Sequence, residues 1–586
     1  MRESGFLLAL LAWMVAGCEA QPVEAPRTSN AVGAWVLACQ NADGGFGSFP
    51  GDISAVRATA CALETLAELE VPVPEPRKAA AFLASRQNAD GGFRGRPWGL
   101  RWADRSTLID SYHAVRALEI VGEAVPRGEA LAAFAQSRQR SDGGFHADLL
   151  HRNTASCANT FYAVSILKSL GAEVPRREAV AAFLRHMQAD GIRGDGGFIS
   201  ETTPQWQELM ADARAWARAT VPYRDPGPEE KEAIPVAVGY TSATYFAVAA
   251  LALIESSPAD PKGAVRFLAS QQGEAGGFLT GMGDYGAYHD RSQGLMSETG
   301  RALAGLRLLC PEGMEGKDRG WTEFLAGSGV AVSGCASWIE SCQNADGGFA
   351  RRRDEFSRPS DMEATWHAVR ALALLGSALP EPAEPRPVKR ETLPPEASFP
   401  IRSAYFQPNQ AGQALFLHRI AAPIRREAGS DEATAVALMR WVNQHVVFSE
   451  SPRNEAALIV EDGRGTCGAQ ARCLVGLLEA EGIPARFLLV RGHCVSEAYL
   501  DGRWCLLDTM FDGAFRQPDG RLYSAFGIKE RHRRGEPDAS TFGDSRYEGF
   551  TVYWPQASGE EIEIHIGRDD TADSPSVRRA YPGASY

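Results

Sequence analysis

Gln40-Asn41-Ala42-Asp43-Gly44-Gly45-Phe46 decides the fold, because the chain keeps returning to it. The pattern comes back as Gln87 to Phe93, Gln139 to Phe145, Asp195 to Phe198, Gln271 to Phe278 (with Ala275 in place of the aspartate) and Gln343 to Phe349. Successive phenylalanines stand about 50 residues apart, with longer gaps before Phe278 and Phe349, the period of a supersecondary unit copied in series. Each copy closes a helix on an amide-bearing residue, reverses on glycines that tolerate positive φ, and plugs the turn with Phe. Helices are predicted to end near Gln40, Gln87, Gln139, Gln188, Gln271 and Gln343. A second set rich in Ala, Leu and Tyr follows the turns: Ser54 to Leu69, Thr107 to Val121, Ala155 to Leu170, Thr241 to Glu255, Ser297 to Leu309, and Asp361 to Leu375. Six such hairpins suffice to close a ring. The expected fold is multidomain and mainly α, an α6/α6 toroid over residues 30–378 with the second helices inside.

The repeated turn resembles that of the prenyltransferase and squalene-cyclase repeat superfamily. The resemblance implies either zinc-dependent prenyl transfer or terpene cyclisation. Tyr240, Thr241 and Ser242 stand where the prenyltransferase Asp-x-Cys zinc ligands fall, Asp361 is kept as an acid, and Ala364 takes the place of the zinc histidine. The Asp-x-Asp-Asp acid motif of the cyclases does not occur. No metal or cofactor is therefore assigned. Asp110, Tyr112, His113, Cys157, Asn159, Glu363 and His367 are the polar residues of the inner helices and the candidates for a toroid cavity. Thr202 to Val238, rich in Trp, Pro and charge, interrupts the repeat and is expected to cover one mouth of the ring.

Leu379 to Pro400 carries seven prolines among Glu, Lys and Arg and reads as a semi-rigid spacer that leaves domain orientation open. Beyond it, residues 401–567 are expected to form an α+β domain and 568–586 a loose tail. A helix is predicted over Glu432 to Val447. Gly463-Arg464-Gly465-Thr466-Cys467-Gly468 sets a cysteine behind a glycine-rich turn, and Ala471, Leu474, Val475 and Leu478 give the following segment helical periodicity. Cys467 falls in its first turn, on the buried face, where unpaired N–H groups and the helix dipole favour thiolate. Ala485 to Arg491, Cys494 to Leu500 and Arg503 to Thr509 read as strands, and Asp501-Gly502 is a two-residue hairpin signal. That turn opposes Leu500 to Arg503 and Val495 to Asp508, which brings His493 one diagonal step from Asp508. Further β-rich stretches are Phe550 to Trp554 and Ile562 to Ile566.

A cysteine at a helix start with His and Asp on adjoining strands is an arrangement for thiolate catalysis. The blocks around Cys467, Glu481-Gly-Ile-Pro-Ala-Arg486, Gly492-His493 and Tyr499 to Asp508 resemble the transglutaminase-like superfamily in order. The resemblance implies nucleophile, base and acid at Cys467, His493 and Asp508, and a thioester made from a peptide or protein amide. Val495 departs from the aromatic usual in that family two residues after the histidine.

At 586 residues the chain needs more than one core. Its formal charge of -13 argues against a nucleic-acid partner. The run Arg351-Arg352-Arg353 is isolated and reads as a solvated loop. Arg2, the apolar run Phe6 to Val15 and then Ala16-Gly17-Cys18 have the layout of an export signal over 1–17. Val15-Ala16-Gly17-Cys18 resembles the bacterial lipobox, implying lipidation at Cys18, a tether over 18–29, and anchoring in the cell envelope facing the periplasm or exterior. Membrane contact is expected through that lipid alone. The remaining cysteines lack regular spacing and read as small buried hydrophobes rather than a disulfide framework.

The leading reading is thus an exported, lipid-anchored cysteine hydrolase or acyltransferase with the toroid as ligand-binding body. The alternatives are prenyltransferase-like or cyclase-like catalysis in the toroid, and a surface binding protein without turnover.

Overall fold

A computed structural model describes residues 31–95, 105–146, 155–188, 196–199, 239–281, 294–311, 318–353, 359–382, 384–392, 411–448, 456–490, 493–510, 512–517, 519–525, 527 and 564–566. The export signal, Cys18, the tether, the 202–238 insertion, Phe550 to Trp554 and the tail lie outside them.

The expected hairpins are present. The helices before the turns are α1 (Ala31–Ala38), α3 (Pro76–Ser85), α5 (Gly128–Gln136), α7 (Arg177–His186), α9 (Pro261–Ser270) and α12 (Val332–Ser341). Those after them are α2 (Val56–Glu68), α4 (Leu108–Ile120), α6 (Cys157–Ser169), α8 (Thr241–Leu253), α10 (Met296–Leu309) and α13 (Met362–Leu375), with an additional α11 (Asp318–Gly327) before the last hairpin. The second set pack side by side in chain order, and α13 returns to α2, closing the ring.

One bonding scheme explains the turns. In each of the six, the Phe pairs with a Gln across the reversal, and the fifth partner is Gln272 rather than Gln271. Gln272 Nε2 donates to Gly276 O at 3.0 Å, whereas Gln271 Nε2 turns back to Phe267 O. The turn aspartate accepts the N–H two residues on, as Asp43 Oδ1 does from Gly45 at 3.0 Å, and also a serine hydroxyl, Ser54 Oγ at 2.7 Å. Every phenylalanine N–H donates to a hydroxyl on the inner helix: Thr59, Ser111, Thr160, Thr244, Thr299 and Thr365. The six rings are wholly buried. Gly347 has φ +94°, and a Cβ on it would stand 2.3 Å from Ala31 O, so the sixth turn seats on the first helix with glycine's missing side chain as the gap that admits it. Trp35 Nε1 donates to Asp346 across the same seam.

The C-terminal unit starts with α14 (Ala411–Ala428) and α15 (Asp431–His445). Strand β1 (Val447–Phe448) pairs in parallel with β2 (Arg464–Gly465), and α16 (Ala456–Asp462) lies between them in sequence. Then come α17 (Cys467–Ala480), β3 (Ala485–Val490), β4 (His493–Leu500), β5 (Arg503–Asp508), β6 (Gly513–Ala514) and, from the far end of the chain, β7 (Ile564–Ile566). The sheet is antiparallel in the order β6-β5-β4-β3-β7. Asp501 and Gly502 both have positive φ, and the hairpin they turn pairs Leu500 with Arg503, the register the sequence requires. Helix α17 packs on β3 and β4 and is backed by α14, α15 and α16.

The proline-rich segment and the arginine run both differ from expectation. Residues 384–392 run along the toroid: Arg386 N–H donates to Ala345 O, Glu391 N–H to Pro50 O at 2.8 Å, and Arg390 to Gln40 O and Asn41 Oδ1. Arg419 of α14 adds an ion pair to Glu391 at 2.6 Å and lies over the Phe49 ring. Arg351 and Arg352 are not solvated. Arg352 is buried and donates to Gln444 O at 3.0 Å, and Arg351 donates to Val460 O and pairs with Asp361. These guanidiniums reach from the toroid to main-chain carbonyls of the C-terminal unit, where a planar five-donor group satisfies several acceptors at once.

Candidate functional site

Cys467 is the first residue of α17, after an extended Thr466 whose side chain makes no capping bond. Helix-start N–H groups therefore surround the thiol. Ala471, Leu474, Val475 and Leu478 are fully buried as expected, but Cys467 itself, at the very start of the helix, is half-buried. Asp508 closes β5 at zero exposure and accepts from the Met510 N–H at 3.1 Å. Asn443 of α15 donates to Thr509 O and Met510 O, holding the end of that strand. β4 begins at His493, whose main chain pairs with Val490; its side chain lies outside the described residues. Carrying the β4–β5 register one step past Ser496–Leu507 sets Val495 opposite Asp508.

Helix α17 packs along β4. Ser496 Oγ donates to Ala471 O at 2.9 Å, and Cys494, two residues before it, is hydrogen-bonded to Cys467. The hydrogen bond to Cys467 comes first, and burial second, in pushing the Cys494 thiol far up. Sequence reading counted Cys494 among inert cysteines. Its position directly after His493 was the signal that it adjoins the site. The ten cysteines among the described residues form no disulfide.

In the toroid, the structure divides the seven cavity candidates. Asp110 bonds Thr107 in a helix-start exchange, Asn159 bonds Ser156 in another, and Cys157 is fully buried with Sγ donating to Ile199 O. These three serve the turns. Tyr112, His113, Glu363 and His367 do come together inside the ring, among aromatic rings of Phe161, Tyr162, Tyr245, Phe246 and Trp366. The sequence reading missed the charges threaded between them. Arg301 pairs with Glu298 at 2.9 Å and Glu363 at 3.2 Å, Trp366 Nε1 donates to Glu64, and Arg370 lies over Trp366. Helical three- and four-residue spacings, as in Glu298–Arg301 and Glu363–His367, were the available sign. A narrow cleft, open to solvent, runs from Glu298, Arg301 and Glu363 at this mouth to His445, Glu461 and Gly463 of the C-terminal unit.

Burial is the first cause that lowers His113 to about 3 and His367 to about 4. Burial would raise Glu363, but His367 at 3.8 Å, Arg57 and Arg301 hold it well below the usual range. Both rings are neutral when folded and would bind a proton below about pH 6.5 when unfolded. The unfolded chain thus holds more protons between about pH 6.5 and 4, so stability falls as pH drops through that window. The Glu363 contribution, present above its unfolded value, is lost below about pH 4.5, in the same direction. Urea unfolding should show a loss of roughly 1–2 kcal/mol per histidine between pH 7.5 and 5, and His367→Gln should flatten that acid limb.

Zinc does not fit. Tyr240 is buried, Thr241 Oγ1 donates to Leu279 O at 2.6 Å, and Asp361 caps α13 through the Ala364 N–H while pairing with Arg351. Those positions offer neither thiolate nor imidazole. Among the described residues no group of three or more His, Cys, Asp or Glu side chains could hold a metal ion, and no helix is long and apolar enough to cross a membrane.

Six helical hairpins closed into a ring, followed by a cysteine helix against an antiparallel sheet, define an α/α toroid joined to an α+β unit. The prenyltransferase alpha-alpha toroid domain matches residues 5–104, 99–222 and 232–393, more than half the chain, and the protein belongs to that family. The transglutaminase-like superfamily matches residues 418–509, a stretch that contains Cys467, His493 and Asp508. Similar solved structures include a Candida albicans protein geranylgeranyltransferase-I complexed with GGPP, at 14% identity over 54% of this chain and 83% of that one, TM-score 0.37. A type II terpene cyclase from Scytonema with geranylgeranyl dihydroxybenzoate is 14% identical over 59% and 95%, TM-score 0.37. A D-mannose isomerase is 13% identical over 59% and 95%, TM-score 0.40. None of the curated proteins matches the chain.

Proposed function

We propose that the chain is an exported, lipid-anchored cysteine enzyme that cleaves or transfers an amide acyl group through a thioester on Cys467. The observation that carries this reading is a half-exposed thiol at the first position of α17, beside a sheet whose β4 starts at His493 and whose β5 ends at a buried Asp508. In this reading His493 takes the thiol proton as sulfur attacks the carbonyl, then gives it to the departing amine, while Asp508 holds the imidazole and supports its charge. The Cys467 N–H, at a helix start, is the first oxyanion donor. Water or an amine then releases the acyl group. The substrate is a peptide or protein, with the toroid as its binding body. Ion pairs and open hydroxyls at the ring's mouth suit a polar chain better than an isoprenoid. The lipobox-like Val15 to Cys18 would tether the enzyme to a membrane by its lipid, in the bacterial envelope, facing the periplasm or exterior.

Iodoacetamide at pH 7 tests the reading. Cys467 should be alkylated ahead of the other cysteines, most of which are buried, and His493→Ala should slow that alkylation. An unreactive Cys467 in the folded protein removes the basis of the proposal.

A further inference from the structure

The side chain that meets Cys467 from β4 is itself a thiol. A Cβ placed on Gly468, the residue after Cys467, would lie 3.4 Å from Cys494 Sγ and 3.9 Å from its Cβ. The bond from Ser496 Oγ to Ala471 O fixes strand to helix one turn further on, so this approach is part of the packing. Both sulfurs are half-buried and open to small reagents, whereas the other described cysteines are buried. Arg472 and Asp508 are the charged groups that act on Cys494.

We propose that Cys467 and Cys494 form an oxidation site that reacts with a low-molecular-weight disulfide and closes to an intramolecular Cys467–Cys494 disulfide. In the first step the Cys467 thiolate attacks one sulfur of the reagent, an S–S bond to Cys467 forms, and the first small thiolate leaves with the proton Cys467 gave up. In the second, Cys494 loses its proton and attacks the Cys467 sulfur, and the second small thiolate departs with that proton. Two protein thiols are oxidised and the reagent is reduced to two thiols. The hydrogen bond that keeps Cys494 protonated is its bond to Cys467. Forming the mixed disulfide removes the Cys467 contributions that raise the Cys494 thiol, leaving burial and Asp508 to oppose its ionisation and Arg472 to favour it, and Cys494 then acts as nucleophile. A closed pair takes Cys467 out of acyl chemistry until a reductant opens it.

The readout is mass, so the site stands or falls separately from the acyl-transfer reading. Full-length protein is treated with oxidised glutathione, quenched with N-ethylmaleimide and mapped by mass spectrometry. Expected is a cross-linked peptide pair containing Cys467 and Cys494, two hydrogens lighter than the reduced pair and reversed by dithiothreitol. Cys494→Ala and Cys494→Ser should instead stop at one glutathione on Cys467. Wild type that also stops at the mixed adduct, or that shows no reaction at Cys467 while iodoacetamide labels it, overturns the site and leaves the nucleophile standing. Failure of both reagents at Cys467 overturns both.

Discussion

Cys467→Ala is expected to lower acyl transfer from an activated ester or a glutaminyl peptide by at least about 10³-fold, with the urea midpoint held within roughly 0.5 kcal/mol. The small stability change follows from position. The residue begins α17, is half-buried, and contributes no apolar side chain to the sheet contact that Ala471, Leu474 and Leu478 make. The large activity change follows from chemistry, because no other half-exposed thiol stands at a helix start among the described residues. Asp508→Asn should cost about 10³–10⁴-fold if its carboxylate sets the imidazole tautomer. The two losses should not add in the double variant, since residues of one relay fail together. Thioester accumulation measured by hydroxylamine release checks this, and equal rates for wild type and Cys467→Ala would remove the nucleophile from the mechanism.

Glu497→Ala is expected to cost about 3–5 kcal/mol, read from urea unfolding followed by tryptophan fluorescence. Arg486 Nε donates to Glu497 Oε2 at 2.7 Å, a second guanidinium nitrogen reaches the same oxygen, and the Ala525 N–H donates to the other at 2.7 Å. Neither residue has appreciable exposure, and the guanidinium lies 4.1 Å over the Trp504 ring. Removing the carboxylate takes the counter-ion from a buried cation and the acceptor from the Ala525 N–H, which is why the loss exceeds that for a surface pair. The pair stabilises the sheet only relative to its own disruption: Arg486→Met with Glu497→Leu should recover most of the deficit. A Glu497→Ala shift under about 1 kcal/mol would show that water reaches Arg486 in solution.

Local signals carried further into the structure than long-range ones. In five of the six turns the Gln amide reaches a carbonyl four residues on, as in Gln87 Nε2 to Gly91 O, so the hairpins and the helices flanking them were readable to within about three residues. Asp501-Gly502 fixes the β4–β5 register by its own backbone requirement, and that too was legible. The inner-helix hydroxyls were not, because Thr59 and Thr365 differ from ordinary helical threonines only in what lies opposite them. Arg351 and Arg352 read as a surface run since their acceptors, Val460 O and Gln444 O, are about a hundred residues away. Long-range pairing of shorter span also hid the Arg301–Glu363 bridge across two helices, 62 residues apart, and the meeting of Cys494 with Cys467. In the fifth turn Ala275 removes the aspartate marker, and the amide assignment slipped by one residue.

The seat of Gly347 on Ala31 also sets the order in which the molecule is made. An open solenoid gains stability one repeat at a time, each copy resting on the last. Here the first helix packs on α2 early, but its contacts with Asp346 and Gly347 wait until more than three hundred further residues have left the ribosome. The final closure joins chain regions more than three hundred residues apart, a contact of high order that slows folding. A chain cut short anywhere before Phe349 therefore keeps two unsatisfied edges, and the C-terminal unit, emerging last, meets either a finished ring or none.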